Sequence, residues 1–335
     1  MNVNLNQTAL YTPPQPDATD GMVRQTLATS LGYVDGAFGI QRILADTGIP
    51  IVDTYYRQSL PGYASLYNQW QCMHVALHDT ANTEKQAFFA QASAVSKLLG
   101  VGTGQRVLEL GCGLGANTLH LAESHPDVDF VAIDLMPEHV KRATLKAQGL
   151  PNARFQCASF EDLPRDLGSF DVILAVETLC YATNLNRVAA QIAQHLRPGG
   201  QIILFDAHRR DNFDSLPADS VTATRLYEIT TAVTRGFHTD GAWERAFVKA
   251  GLDLTASDDL TAKTLTGLSS LHRRSMKAFT DLKWRLALKV MPRHLARNTV
   301  AGLLGYHVCF GGGTQPDPDR GAVRYQKIVA RKPRN

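Results

Sequence analysis

The chain has 335 residues, 44% of them hydrophobic and 19% charged, with a formal net charge of +3. That length suits one large domain with additions or two domains, and the composition is that of a packed globular protein, not a disordered one. So small a charge does not by itself imply nucleic acid, no apolar run approaches the roughly 20 residues of a bilayer span, and no apolar signal core opens the chain. The five cysteines (72, 112, 157, 180 and 309) are scattered, odd in number and without metal-ligand spacing. They predict reduced thiols in a cytoplasmic protein and no metal centre.

In chain order, residues 1–20 are polar and proline-bearing and predict a disordered tail. Residues 21–48 place Leu27, Leu31, Val34, Phe38, Ile40, Ile43 and Leu44 at helical spacing. Residues 51–78 concentrate aromatic groups: Tyr55, Tyr56, Tyr63, Tyr67 and Trp70, followed by His74 and His78. A helix over 83–99 completes an N-terminal helical cap, residues 21–95. A core over 96–260 then alternates strands and helices.

The run Arg106-Val-Leu-Glu-Leu-Gly-Cys-Gly-Leu-Gly-Ala116 reads as a buried strand, a glycine turn and a helix starting near Asn117. Gly111, Gly113 and Gly115 let the backbone turn tightly and approach a ligand. Two cofactor classes compete for such a turn. Gly111-x-Gly113-x-x-Ala116 satisfies the loose dinucleotide pattern. Glu109, however, aims a carboxylate at the turn, where it would repel a pyrophosphate. It suits a cofactor with no phosphate and with an ammonium and a sulfonium, which is S-adenosylmethionine. Asp134 closes the next strand, 130–134, and serves a ribose in either class.

A helix over 137–148, a strand over 153–157, a strong strand over 170–176, a helix over 185–196 and a strand over 201–206 follow. Strands alternating with helices predict an α/β fold with a doubly wound, mostly parallel sheet. Ligands of such sheets lie beyond the carboxyl ends of the strands. Glu109, Asp134, Glu177 and Asp206 all fall at such ends. Beyond 206 the pattern predicts a helix over 240–250, a strand within 252–260, helical character over 264–300 and a last strand over 321–331. Residues 261–310 are expected to form a helical lid with a basic face, and 311–335 a loop and the terminal strand. There is no internal repeat.

Four segments together resemble the class I S-adenosylmethionine-dependent methyltransferases: Val107-Leu-Glu-Leu-Gly-Cys-Gly-Leu-Gly115, Ala132-Ile-Asp134, Phe170-Asp-Val-Ile-Leu-Ala-Val-Glu177 and Leu196-Arg-Pro-Gly-Gly-Gln-Ile-Ile-Leu204. The resemblance implies a seven-stranded Rossmann-like sheet with an antiparallel last hairpin and a helical insertion before the last strand. It implies that the glycine turn and Glu109 hold the methionine end of the cofactor and Asp134 the ribose, with Leu135 and Val176 beside them. S-adenosylhomocysteine is the implied product. Ser159 stands where the family places an acid toward adenine, so Ser159 and Phe160 are the expected adenine contacts despite this departure. The flanks resemble the sterol and small-molecule C-methyltransferases through Tyr55-Tyr56, Trp70 and His74, through Val176-Glu-Thr-Leu-Cys-Tyr181, and through Arg297-Asn-Thr-Val-Ala-Gly-Leu-Leu-Gly-Tyr-His307. That implies an apolar acceptor, an isoprenoid or sterol-like lipid, prenyl diphosphates included.

An alkene attacking a sulfonium methyl needs no base, but leaves a cation that aromatic faces and a carboxylate stabilise. Glu177, His74, Tyr56 and His208 are therefore the expected catalytic groups. Tyr55, Tyr63, Tyr67, Trp70 and Tyr181 are the expected pocket walls; core packing is the competing role for each aromatic. Eight cations between Arg273 and Arg297 face one acid, Asp281, in a basic amphipathic stretch. Arg273 and Arg274 would hold a phosphorylated head, and the stretch also fits transient contact with a membrane surface; a solvated helix face competes with both. The partner class is a small molecule and not a nucleic acid, with an oligomer left open. N- or O-methylation of another natural product is the alternative activity, a nucleotide-binding oxidoreductase the distant one, and a cofactor-binding scaffold without activity the last.

Overall fold

A computed structural model describes residues 23–46, 51–79, 82–100 and 104–334; the tail expected over 1–20 lies outside them. The described chain forms α1 (Leu27–Phe38), α2 (Ile40–Leu44), α3 (Ile51–Gly62), α4 (Glu84–Phe88) and α5 (Ala90–Ser96) ahead of the sheet. There follow β1 (Arg106–Leu110), α6 (Ala116–Ser124), β2 (Asp129–Asp134), α7 (Pro137–Lys146), β3 (Ala153–Cys157), β4 (Phe170–Val176), α8 (Leu185–His195) and β5 (Leu196–Arg209). The rest is α9 (Ala218–Thr230), α10 (Ala242–Lys249), β6 (Asp253–Asp259), α11 (Leu265–Thr280), α12 (Leu282–Leu288), α13 (Arg293–Phe310) and β7 (Val323–Arg331).

The strands make one sheet of seven in the order β3-β2-β1-β4-β5-β7-β6. β1 to β5 pair in parallel, whereas β7 runs antiparallel between β5 and β6. β1 and β4, in the middle, are near-continuous apolar runs because helices cover both faces. On one face Leu108, Leu110 and Ile133 pack with Val188 and Ile192 of α8 and Trp243 and Phe247 of α10. On the other, Val107, Phe130 and Val172 share a core with Val95 of α5, Leu121 of α6, and Leu303 and Leu304 of α13. The order reverses direction between β1 and β4, which opens a crevice at their carboxyl ends.

Three departures from the sequence reading have physical causes. β5 extends to Arg209, past the expected end at 206, because its ladder with β7 continues through Arg209↔Val323. The helical stretch over 264–300 divides into three: Asp281, extended at ψ 125, ends α11 and caps α12 by accepting from the Lys283 amide. Helix α9 carries no apolar stripe. Its buried face mixes Ala223, Thr224, Leu226, Glu228, Ile229 and Thr230, and the buried Glu228 carboxylate is held by Arg209 Nε at 2.6 Å.

Candidate active site

β1 delivers Glu109 to the crevice and the chain turns at once through Gly111, Gly113 and Gly115. Gly111 stands at φ +64, and a Cβ there would fall 2.6 Å from Thr178 Cβ. A Cβ on Gly113 would meet Met73 Sδ at 2.8 Å. The Glu109 carboxylate is buried and holds the first turn of α6. It accepts from Asn117 Nδ2 at 3.0 Å, Thr118 N at 3.2 Å and Thr118 Oγ1 at 2.5 Å. Burial nevertheless pushes its pKa up to about 7. Asp134, at the end of β2, accepts from Gly113 N, Met136 N and His139 Nδ1 at 2.8, 2.8 and 3.2 Å.

Around the turn lies a cavity of about 260 Å³. Of the residues expected to hold the cofactor, Glu109, Gly111, Gly113, Asp134, Leu135, Ser159, Phe160 and Val176 line it. Gly115 lies behind it, at the N-cap of α6, facing Ala143 and Phe155. Two lining residues missed by sequence reasoning carry buried polar atoms without a partner, Asn117 Oδ1 and His139 Nε2. Asn117 spends its amide nitrogen on Glu109, so its oxygen is an acceptor left over. An orphaned acceptor beside a buried carboxylate fits an ammonium group, and the residues present suit the methionine end of S-adenosylmethionine.

A second cavity, about 350 Å³, lies under α3, α9, α11 and α13. Tyr55, Tyr56, Tyr63, Tyr67 and Tyr181 line it, as do Tyr227 and Tyr325, which sequence reasoning passed over. Tyr227 lies on α9, the helix without a readable stripe. The hydroxyls are tied to one another and to backbone. Tyr55 pairs with Tyr63 at 2.8 Å and Tyr56 with Tyr181 at 3.0 Å; Tyr181 donates to Thr231 O and Tyr67 to His74 O. Burial raises all five of these phenols, so they act as donors and not as bases. Of the two arginines expected in the pocket, Arg274 lines this cavity and Arg273 does not.

Five residues line both cavities: Tyr56, Met73, His74, Glu177 and Tyr181. Glu177 follows β4 in a left-handed conformation, φ +48, that a non-glycine residue adopts only under constraint. Its N–H donates to Phe205 O at 2.8 Å, and its Oε1 accepts from Val75 N at 2.7 Å. Burial pushes its pKa up to about 8. Asp206, at the edge of the tyrosine cavity, accepts from Cys180 N and Ala207 N and is raised by burial to about 7. His74 donates from Nε2 to Phe88 O at 2.8 Å, which leaves Nδ1 without the proton. Burial lowers its pKa to about 4.

Two further expected residues, besides Gly115 and Arg273, are elsewhere. Trp70 packs on Phe88 and Phe89, at ring-centroid distances of 5.5 and 6.4 Å, and lines neither cavity. His208 is buried within β5 and lines neither cavity, because the strand end that carries Asp206 to the crevice continues past it in the ladder with β7.

The buried acids set a pH dependence. Glu109, Glu177 and Asp206 hold protons in the folded chain up to about 7, 8 and 7, above the 4.5, 4.5 and 3.8 of the ordinary groups. Stability therefore falls as pH rises toward those folded values. Buried His74, His208 and His307, lowered to about 4, act in the opposite sense, but only below 6.5. Between pH 6.5 and 8 the acids decide the sign, and the thermal midpoint of the cofactor-free protein should decline. A flat or rising midpoint by scanning calorimetry across that window would contradict the assignment.

Comparison with known proteins bears on the fold and the activity. Residues 107–200 match the family described as Methyltransferase domain. The chain is 25% identical over 213 residues to the phthiotriol/phenolphthiotriol dimycocerosates methyltransferase of Mycobacterium leprae, a match covering 62% of this chain and 68% of that one. It is 27% identical over 221 residues to 24-methylenesterol C-methyltransferase 2 of Arabidopsis thaliana, covering 63% of this chain and only 58% of the relative. The solved structure of the cyclopropane synthase MmaA2 from Mycobacterium tuberculosis shares the fold, with a TM-score of 0.66 at 17% identity over 84% of this chain and 97% of that one. Residues 107–200 carry a methyltransferase domain, and the protein is an S-adenosylmethionine-dependent methyltransferase that resembles the class I sterol and small-molecule C-methyltransferases.

Proposed function

We propose that the protein methylates an apolar, lipid-like acceptor seated in the tyrosine cavity, at carbon by preference, with an isoprenoid or sterol-like skeleton as the acceptor class. One observation carries this reading: the cofactor cavity and the tyrosine cavity meet at a wall of Tyr56, Met73, His74, Glu177 and Tyr181. A methyl group transferred between occupants of the two cavities would cross only that wall. The relatives named for a methylenesterol and for dimycocerosate lipids lend the acceptor class further support.

When bound, S-adenosylmethionine supplies an electron-poor methyl carbon. The residues of the chain do the rest. The glycine turn, Glu109 and Asn117 would hold the methionine end of the cofactor in the cavity that shares this wall. The seven tyrosines hold an apolar chain in line, and positioning supplies much of the gain in a displacement. Their faces stabilise a cation left on the acceptor by about 0.5–2 kcal/mol each when dry. Beside positive charge Glu177 ionises more readily than in the empty pocket. As a carboxylate it then stabilises that cation or takes its proton. Glu177 and Asp206, poised near neutrality, are better bases than His74, which is held far below it. Arg274, on the lining, is placed to meet an anionic head such as a diphosphate.

The same two acids are what O- or N-methylation would need, which keeps that second reading in play. Nuclear magnetic resonance of product formed from cofactor labelled with carbon-13 in its methyl group separates the two. A methyl signal in the carbon-bound range supports the proposal, and an oxygen- or nitrogen-bound methyl overturns the carbon preference.

A further inference from the structure

Helix α12 buries none of its residues. On a helix, residues four apart share a face and residues two apart stand nearly opposite. Leu282 and Leu286 therefore form one stripe, 69% and 55% exposed, and Val290 in the turn that follows is 84% exposed. Trp284 and Leu288 form the opposite stripe and line the tyrosine cavity, joined by Met291. A surface helix ordinarily turns a polar face to water; this one is apolar on both sides. Lys283, Arg285 and Lys289 flank the outer stripe by the same spacing and are exposed, as is Lys277 in the last turn of α11. The single acid between Arg273 and Arg297 is Asp281, which caps the helix, whereas Arg293 and Arg297 turn to Asp46.

An apolar stripe ringed by cations has the chemistry of a segment lying at the headgroup–acyl boundary of an anionic bilayer. A second copy of this chain would bring the same positive charge to the patch. No described helix is long and apolar enough to cross a membrane, so contact would be at the surface. We infer that α12 and the turn after it dock on an anionic lipid surface, with Leu282, Leu286 and Val290 entering the boundary and the four cations facing the headgroups. Because the inner side of the same helix lines the tyrosine cavity, docking sets that cavity against the source of an apolar acceptor. This last point rests on the methyl-transfer reading above; the docking itself does not.

Co-sedimentation of the full chain with vesicles tests it, using phosphatidylcholine alone and phosphatidylcholine mixed with phosphatidylglycerol. Binding to the mixed vesicles, weak binding to the neutral ones and release at about 0.5 M salt are expected. The double variant Leu286→Asp with Val290→Asp should bind the mixed vesicles about tenfold or more weakly. Lys283→Gln with Lys289→Gln should lose about thirtyfold. Both variants should bind S-adenosylhomocysteine as the parent does, which reads folding separately. Failure of the parent to bind mixed vesicles, salt-indifferent binding, or variants that bind like the parent would overturn the inference. So would a dimer in sedimentation velocity that Leu286→Asp dissociates. If vesicle binding holds while no acceptor is methylated, the methyl-transfer reading fails and the docking stands.

Discussion

Gly111→Ala should all but abolish cofactor binding and destabilise the fold by about 2–4 kcal/mol. The added methyl group has two separate costs. Gly111 stands at φ +64, where an L-residue is strained. The new Cβ would also overlap Thr178, whose side chain borders the cofactor cavity. Relief requires the turn to move away from β4, and the amide of Gly113 would then leave Asp134. An affinity loss of about a hundredfold corresponds to roughly 2.7 kcal/mol. Calorimetric titration with S-adenosylhomocysteine reads the affinity and urea denaturation the stability. Pairing the change with Thr178→Ala removes the overlap but not the strain, so the double variant should recover part of the loss. A single variant that binds like the parent would show that the turn does not approach the cofactor.

Glu177→Gln should lower turnover by about a hundred- to a thousandfold while changing cofactor affinity little. Glutamine keeps the size of the side chain and an oxygen for the Val75 amide, so the wall between the cavities stays in place. It removes the negative charge and the proton acceptor. A group raised to about 8 that ionises beside a cation is the kind a proton-removing or cation-stabilising step uses. The backbone at Glu177 is left-handed, at φ +48. Such strain, of about 1–3 kcal/mol, persists where surrounding structure over-determines it. Here the Glu177 amide is pinned to Phe205 and the carboxylate to Val75. A variant with full turnover would remove Glu177 from the mechanism; one that loses cofactor binding and turnover equally would make it a structural residue.

The parts legible in the sequence are those governed by local rules. β1 and β4 are apolar runs ended by an acid, and a buried parallel strand leaves no other pattern. The glycine turn was readable because backbone reversal and close approach both require residues without a Cβ. The charge of Glu109 against a phosphate-free cofactor pointed the same way as the fold does. What stayed illegible depends on distant pairing. The Val75–Glu177 hydrogen bond joins positions 102 apart, and with it the entry of Met73 and His74 between the two cavities. Tyr227 was hidden because α9 buries threonines and a glutamate, so no stripe marked it. Trp70 shares the aromatic density of its neighbours, yet the turn after Tyr67 directs it onto Phe88 instead of the cavity. His208 follows Asp206 by two residues on the same side of β5. There an extended strand ladder, not a crevice, receives it.

Methyl transfer to a lipid-like acceptor is read by mass spectrometry after incubating the protein with S-adenosylmethionine carrying a trideuterated methyl group and a panel of prenyl diphosphates, sterols, fatty acyl lipids and small polar phenols, amines and acids. One apolar member should gain a single trideuterated methyl group, with S-adenosylhomocysteine formed in equal amount and both lost in Glu177→Gln. Transfer to a polar member only, with every lipid unchanged, would contradict it.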